Sequence, residues 1–302
     1  MIRLIAVFIA LSLVLAGCAS PSAGPPPVAE FDTGIDPDSW ATIPAGEFLQ
    51  GVHNHHREIA ADYEMMVTDV TNTQFAAYLN QALADGSLSI GDAGVIGTYP
   101  GDEFHGHEHE KEIQAGDWLH FPLHEADSRL TYDGKTFGVI PGYENHPLTM
   151  VTWFGAQGYC EYVDGRLPTD LEWEKAARGD GDRAYPWGAD IAPANSNFYK
   201  SGDPLEGGPN EVGNTTPVGF YNGQAYAGFQ TLDSPSPYGL YDMAGNVWQW
   251  IGNVYQDTHL RTLRGGGKMD YGYDLRVWKF NSAEPDFFSP SIGFRCARNP
   301  AQ

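Results

Sequence analysis

The sequence predicts an α+β domain that is rich in loops and poor in long regular elements. Three observations lead there. Helical patterns are short and capped, alternating strand-like stretches are brief, and 36 glycines and 21 prolines punctuate 302 residues. A hydrophobic share of 42% supports a real core, and the length allows one large domain or two small ones.

Taken in order, residues 1–18 read as an export signal. Arg3 gives a short positive region, and residues 4–15 form an apolar run too short to span a bilayer comfortably. Leu15-Ala16-Gly17-Cys18 resembles a bacterial lipobox, in which Cys18 becomes the lipidated first residue of the mature chain. Acyl chains there would hold the protein on a membrane rather than through it. Residues 19–38, with Pro25-Pro26-Pro27, read as a tether, and residues 39–302 as the folded domain.

Residues 43–48 read as an opening strand and residues 63–68 as another. Thr71 is placed to cap a helix, with Gln74 completing a capping box. Phe75, Tyr78, Leu79, Ala82 and Leu83 follow at helical spacing, and Gly86 ends the pattern. Residues 87–145 are dominated by turn and polar residues. Only the stretches around Asp133-Gly134, residues 130–132 and 136–139, read as a hairpin. Thr152 begins a second helix that turns Ala156, Tyr159, Cys160 and Val163 inward and closes at Gly165. Thr169 begins a third, with Glu172 as its capping-box partner, Asp170 complementing the helix dipole and Gly179 as its stop. Beyond Gly188 the pattern is loops and short strands.

A formal net charge of −22 excludes a nucleic-acid-binding face and charge-driven attraction to anionic lipid. With Cys18 assigned to lipid, Cys160 and Cys296 remain. An exported compartment would permit a bridge between them, or they are two buried thiols. Residues 238–250, YGLYDMAGNVWQW, are too broken for a long helix and too aromatic for a solvated linker. They read either as an irregular core segment or as an oxygen-lined cation site, with Asp242, Gln249 and the carbonyls of Gly245 and Val247 as ligands. His105, His107 and His109 alternate in Phe104-His105-Gly106-His107-Glu108-His109, which suits a Zn or Cu site on a strand or a polar surface loop. His53, His55 and His56 form a second cluster, and His146 before Pro147 reads as structural.

The aromatic segment is one of an ordered set of motifs. The others are Gly165-Arg166-Leu167-Pro168-Thr169, Glu172-Trp173-Glu174, Tyr185-Pro186-Trp187-Gly188, Thr216-Pro217-Val218-Gly219, Arg264-Gly265-Gly266 and Gly293-Phe294-Arg295. In this order they resemble the formylglycine-generating enzyme (sulfatase-modifying factor) family from about residue 43 to 298. The resemblance implies an elaborated C-type-lectin-like fold and a structural Cys160–Cys296 disulfide. It also implies two structural calcium sites, one from Asn197, Phe198, Asn210 and Val212, the other from Asp242, Gly245, Val247 and Gln249. Asn210 and Gln249 stand where the family carries acidic residues, which weakens both sites.

The family oxidises a substrate cysteine with copper(I) and dioxygen, the metal being held by two cysteines that follow Arg-Gly-Gly. Here those positions hold Asp270 and Leu275, and no cysteine lies between Cys160 and Cys296. Soft thiolates select Cu(I), and a carboxylate does not replace them. Copper is therefore not expected, and Trp248, Asp270 and Arg276 remain as a candidate ligand pocket. The resulting expectation is a non-catalytic extracytoplasmic binding or scaffold protein. Its partners would be the membrane, through Cys18, and a protein, peptide or glycan ligand. The alternative is an atypical metal-dependent oxidase or maturation factor of the cell envelope.

Overall fold

The computed structural model describes residues 28–102, 112–206, 213–255 and 258–300. Its first strands are β1 (Trp40–Ile43), β2 (Gly46–Gln50), β3 (His55–Ile59) and β4 (Tyr63–Met66). Helix α1 (Asn72–Asp85) leads into β5 (Leu88–Ile90), β6 (Gly94–Tyr99) and β7 (Gly116–Pro122). A hairpin, β8 (Leu130–Tyr132) and β9 (Phe137–Val139), precedes α2 (Trp153–Tyr162) and α3 (Asp170–Arg178). The last strands are β10 (Ala225–Tyr226), β11 (Phe229–Gln230), β12 (Trp248–Val254), β13 (Arg261–Arg264), β14 (Phe280–Ala283), β15 (Ile292–Phe294) and β16 (Ala297–Arg298).

The helices start and stop for local reasons. The Thr71 hydroxyl accepts from Gln74 N while Gln74 Oε1 accepts from Thr71 N, and Gly86 ends α1 at φ 80°. Thr169 and Glu172 repeat the arrangement on α3. Helix α2 stops two residues before the expected Gly165. Val163 caps it, Asp164 turns left-handed at φ 57°, and Gly165 N donates to Cys160 O at 2.8 Å. Gly165 is required there for space, because a Cβ would lie 2.8 Å from Ala297 O.

Three expectations need correction. The single strand over residues 43–48 is two strands broken at Pro44, which has no N–H to give a ladder; β1 pairs with β4 and β2 with β3. Residues 88–99 and 116–122, within a stretch where turn and polar residues dominate the sequence, form the antiparallel meander β5-β6-β7. Of residues 19–38, expected as a tether, residues 28–38 pack on the domain. There Phe31 meets Phe220 and Tyr226 edge-on at 5.7 and 5.6 Å, and the buried Thr33 hydroxyl donates to Val218 O. The signal segment and Cys18 lie outside the described residues.

The sheet that carries the candidate site has the order β14-β13-β12-β15, with β12 and β15 parallel and the other pairs antiparallel. A second sheet, β1-β4-β16, joins the two ends of the domain. The larger core cluster gathers α1, α2 and the meander around Phe75, Phe121, Phe154 and Trp250, and a smaller one surrounds Trp173 of α3. Cys160 and Cys296 form a disulfide that ties α2 to the turn between β15 and β16. Among the described residues no helix is long and apolar enough to cross a membrane.

Candidate functional site

Strand β12 begins at Trp248, and its indole defines the site. Trp248 Nε1 donates to Asp270 Oδ2 at 2.7 Å, and Gly267 N donates to the same oxygen at 2.8 Å. Asp270 sits on the loop after Arg264-Gly265-Gly266. Burial raises its carboxyl above the usual range, against these two hydrogen bonds, which lower it. The loop is pinned from behind: Lys268 N donates to Asn246 O, and Tyr199 N donates to Asp270 O.

The second expected thiolate position is closed. Leu275 is fully buried in a cluster with Tyr185 and Ala244, and its methyl groups lie against Gly245 and Gly266. A hydrogen-bonded carboxylate and a buried isobutyl group do not fit a soft, two-coordinate metal. The Arg276 guanidinium lies 4.5 Å from the Tyr273 ring centre and 5.8 Å from that of Trp278.

Of the first calcium set, the described residues fit. Asn197 is buried, its Nδ2 donates to Asn214 O and Asn246 Oδ1, and its Oδ1 has no partner among the described residues. A buried amide oxygen left in this state is a ready hard-cation ligand. Phe198 O accepts from Ser201 N and keeps a second lone pair. Asn210 and Val212 lie outside the described residues, as do His105, His107 and His109.

The second set does not fit, and Gln249 is the reason. Its Oε1 accepts from Trp173 Nε1 at 2.7 Å and Arg295 Nε at 3.0 Å, while its Nε2 donates to Asp242 O at 2.8 Å. The amide thus turns donors toward Asp242 and spends its oxygen on a guanidinium. Asp242 Oδ2 accepts from Gly219 N, and burial pushes this carboxyl up to about 6. Gly245 serves packing: at φ 87°, a Cβ would lie 2.1 Å from Ser196 Oγ and 2.5 Å from Asn197 O. Val247 is fully buried. The charge at the centre of this set belongs to Arg295. Its Nη2 donates to Tyr241 O at 2.7 Å and lies 3.2 Å from the fully buried Asp69, and its Nη1 donates to Met66 O and Val67 O.

Sequence reasoning missed Asp69 and Lys268. Lys268 is buried next to Asp270, with its ammonium on Pro290 O and Ser291 Oγ, and burial pushes it down to about 7. Asp69 carries no local motif. Lys268 lies two residues after Arg264-Gly265-Gly266, and a lone lysine directly behind three glycines was the available signal.

The fold and this loop define a protein of the sulfatase-modifying-factor class whose thiolate positions carry other chemistry. Residues 28–300 match the sulfatase-modifying factor enzyme 1-like domain, and the chain belongs to that family. It is 28% identical over 285 residues to the formylglycine-generating enzyme of Mus musculus, covering 84% of this chain and 73% of that protein. It is 36% identical over 163 residues to the inactive C-alpha-formylglycine-generating enzyme 2 of Bos taurus, covering 50% of each. A serine/threonine-protein kinase pkn1 of Chlamydia caviae is 30% identical over 282 residues. That match covers 85% of this chain but only 37% of the kinase. Among solved structures, PvdO from Pseudomonas aeruginosa shares the fold, with a TM-score of 0.55 and 19% identity over 86% of this chain and 94% of that one.

Proposed function

We propose that this chain is a non-catalytic member of the family: a lipid-anchored, extracytoplasmic protein that binds a protein, peptide or glycan through the loops around Trp248. The observation that carries this reading is the state of Asp270. Where the family places a metal-binding thiolate, a carboxylate is hydrogen-bonded to Trp248 Nε1 and Gly267 N. The two cysteines of the domain are consumed in the Cys160–Cys296 bridge, so no thiol is left there to replace the missing pair. The similarity to a relative named as inactive is in keeping with it.

The test is incubation of the purified chain with a Cys-Xaa-Pro-Xaa-Arg peptide, copper and oxygen, followed by mass spectrometry. No aldehyde is expected. Metal analysis of the same preparation is expected to find calcium, held through Asn197 and Phe198, and copper below stoichiometric level. Aldehyde at turnover levels, or tightly held copper, overturns the reading. The anchor has its own check. Cells fed a labelled fatty acid are expected to label the wild-type chain and not Cys18→Ala, and equal labelling would refute lipidation at that residue.

A further inference from the structure

We propose that the surface formed by residues 199–200 and 269–279 binds an extended acidic segment of a partner protein. This rests on the reading of the chain as a binding protein and names the partner's chemistry. Three cations stand there over two tyrosine rings. The Arg276 guanidinium lies 4.5 Å and the Lys279 ammonium 4.0 Å from the Tyr273 ring centre. The Lys200 ammonium lies 5.1 Å from the Tyr199 ring centre, and Tyr199 meets Tyr271 edge-on at 5.2 Å. Among the described residues none of these three cations pairs with a carboxylate. The chain has 39 Asp and Glu against 17 Lys and Arg, so counterions are not scarce. Arg166, Arg178, Arg261, Arg264 and Arg298 each hold one. Like charges gathered on one face without a counterion repel one another, and an acidic ligand relieves that repulsion.

The same face is apolar and open to solvent. Tyr271 is 66% exposed and Tyr273 55%, and Met269 and Tyr199 are exposed as well. The loop does not need these side chains to hold its shape. Asp270 fastens it to Trp248 and Gly267, and Leu275 is buried beneath it. Large apolar side chains left in water on one loop mark an interaction surface. Tyr, Met and Arg are the residue types that interface cores favour.

The arrangement selects an acidic peptide over a glycan or a membrane. A sugar stacks on an open aromatic face, and Tyr273 already carries two cations over its ring. Three cations on a chain of net charge −22 do not make the polybasic patch that anionic lipid requires. Nor does the net charge repel an acidic segment at close range. At physiological ionic strength exposed charges more than about 8 Å apart are largely screened, so an arriving carboxylate responds to Lys200, Arg276 and Lys279. The tyrosines and Met269 then offer apolar contact to the residues between its acids.

The experiment is fluorescence polarisation on the full chain with a short labelled peptide alternating glutamate and tyrosine. Its glutamine and lysine counterparts, and labelled heparin, are run beside it. Saturable binding of the glutamate peptide alone is expected. Arg276→Gln/Lys279→Gln should melt at the wild-type temperature and bind at least about tenfold more weakly, as loss of charge-assisted hydrogen bonds requires. Arg276→Glu/Lys279→Glu should reverse the preference and take the lysine peptide, a gain that misfolding does not produce. No binding of the glutamate peptide up to millimolar concentration, or binding untouched by either double variant, overturns the proposal. So does binding of heparin while the glutamate peptide fails. If the peptide fails and the chain still forms no aldehyde, this inference falls and the non-catalytic reading stands.

Discussion

Arg295→Ala is expected to lower stability by about 3–5 kcal/mol, the usual cost of removing one partner of a buried ion pair. The guanidinium donates to four acceptors, Gln249 Oε1 and the carbonyls of Met66, Val67 and Tyr241, and lies 3.2 Å from the carboxylate of Asp69. Asp69 is fully buried, and desolvation already pushes its carboxyl up to about 8 despite Arg295. Without the cation it must fold neutral. A carboxyl raised above its unfolded value near 3.8 favours the fold most at low pH, and that contribution disappears as pH rises through about 8. The variant should therefore lose more stability at pH 9.5, above the wild-type value of Asp69, than at pH 5, measured by urea unfolding at both. Adding Asp69→Asn should recover part of the loss at pH 9.5. Equal losses at both pH values, with no recovery, would show that Asp69 does not carry the effect.

Cys160→Ser/Cys296→Ser is the second large effect, about 4–5 kcal/mol, because the bridge closes a loop with a sequence separation of 136. Both residues are fully buried, so the serine hydroxyls add a desolvation cost. Unfolding with and without reductant measures it. The reduced wild-type chain should fall close to the double variant, remaining above it by the serine desolvation cost, and a double variant as stable as the oxidised protein would contradict the estimate.

The helices were legible because their boundary chemistry is local. Thr71 with Gln74, and Thr169 with Glu172, announce starts within four residues, and Gly86 and Gly179 mark stops. The meander was not legible. Strands β5 to β7 bury residues irregularly, and in β7 the three consecutive residues His120, Phe121 and Pro122 are all buried, so no period of two stands out. The hydrogen bond between Trp248 and Asp270 joins residues 22 apart on different segments, and only the resemblance placed them together. The same resemblance misled at Gln249. A glutamine in a glutamate's place suggested a weakened ligand. In the fold it completes a hydrogen-bonded hub with Trp173 and Arg295, partners that no local spacing could supply.

The sheet β1-β4-β16 pairs Met65 with Ala297 and Glu64 with Arg298. During synthesis, β4 therefore has to wait for nearly the whole chain before its second neighbour exists. Contacts this distant along the chain make folding slow, since the closure entropy is met before any pairing rewards it. The nascent protein thus carries an open edge on β4 until residues 297–298 arrive. A chaperone that shields such edges would find its natural client in the incomplete chain rather than in the finished domain.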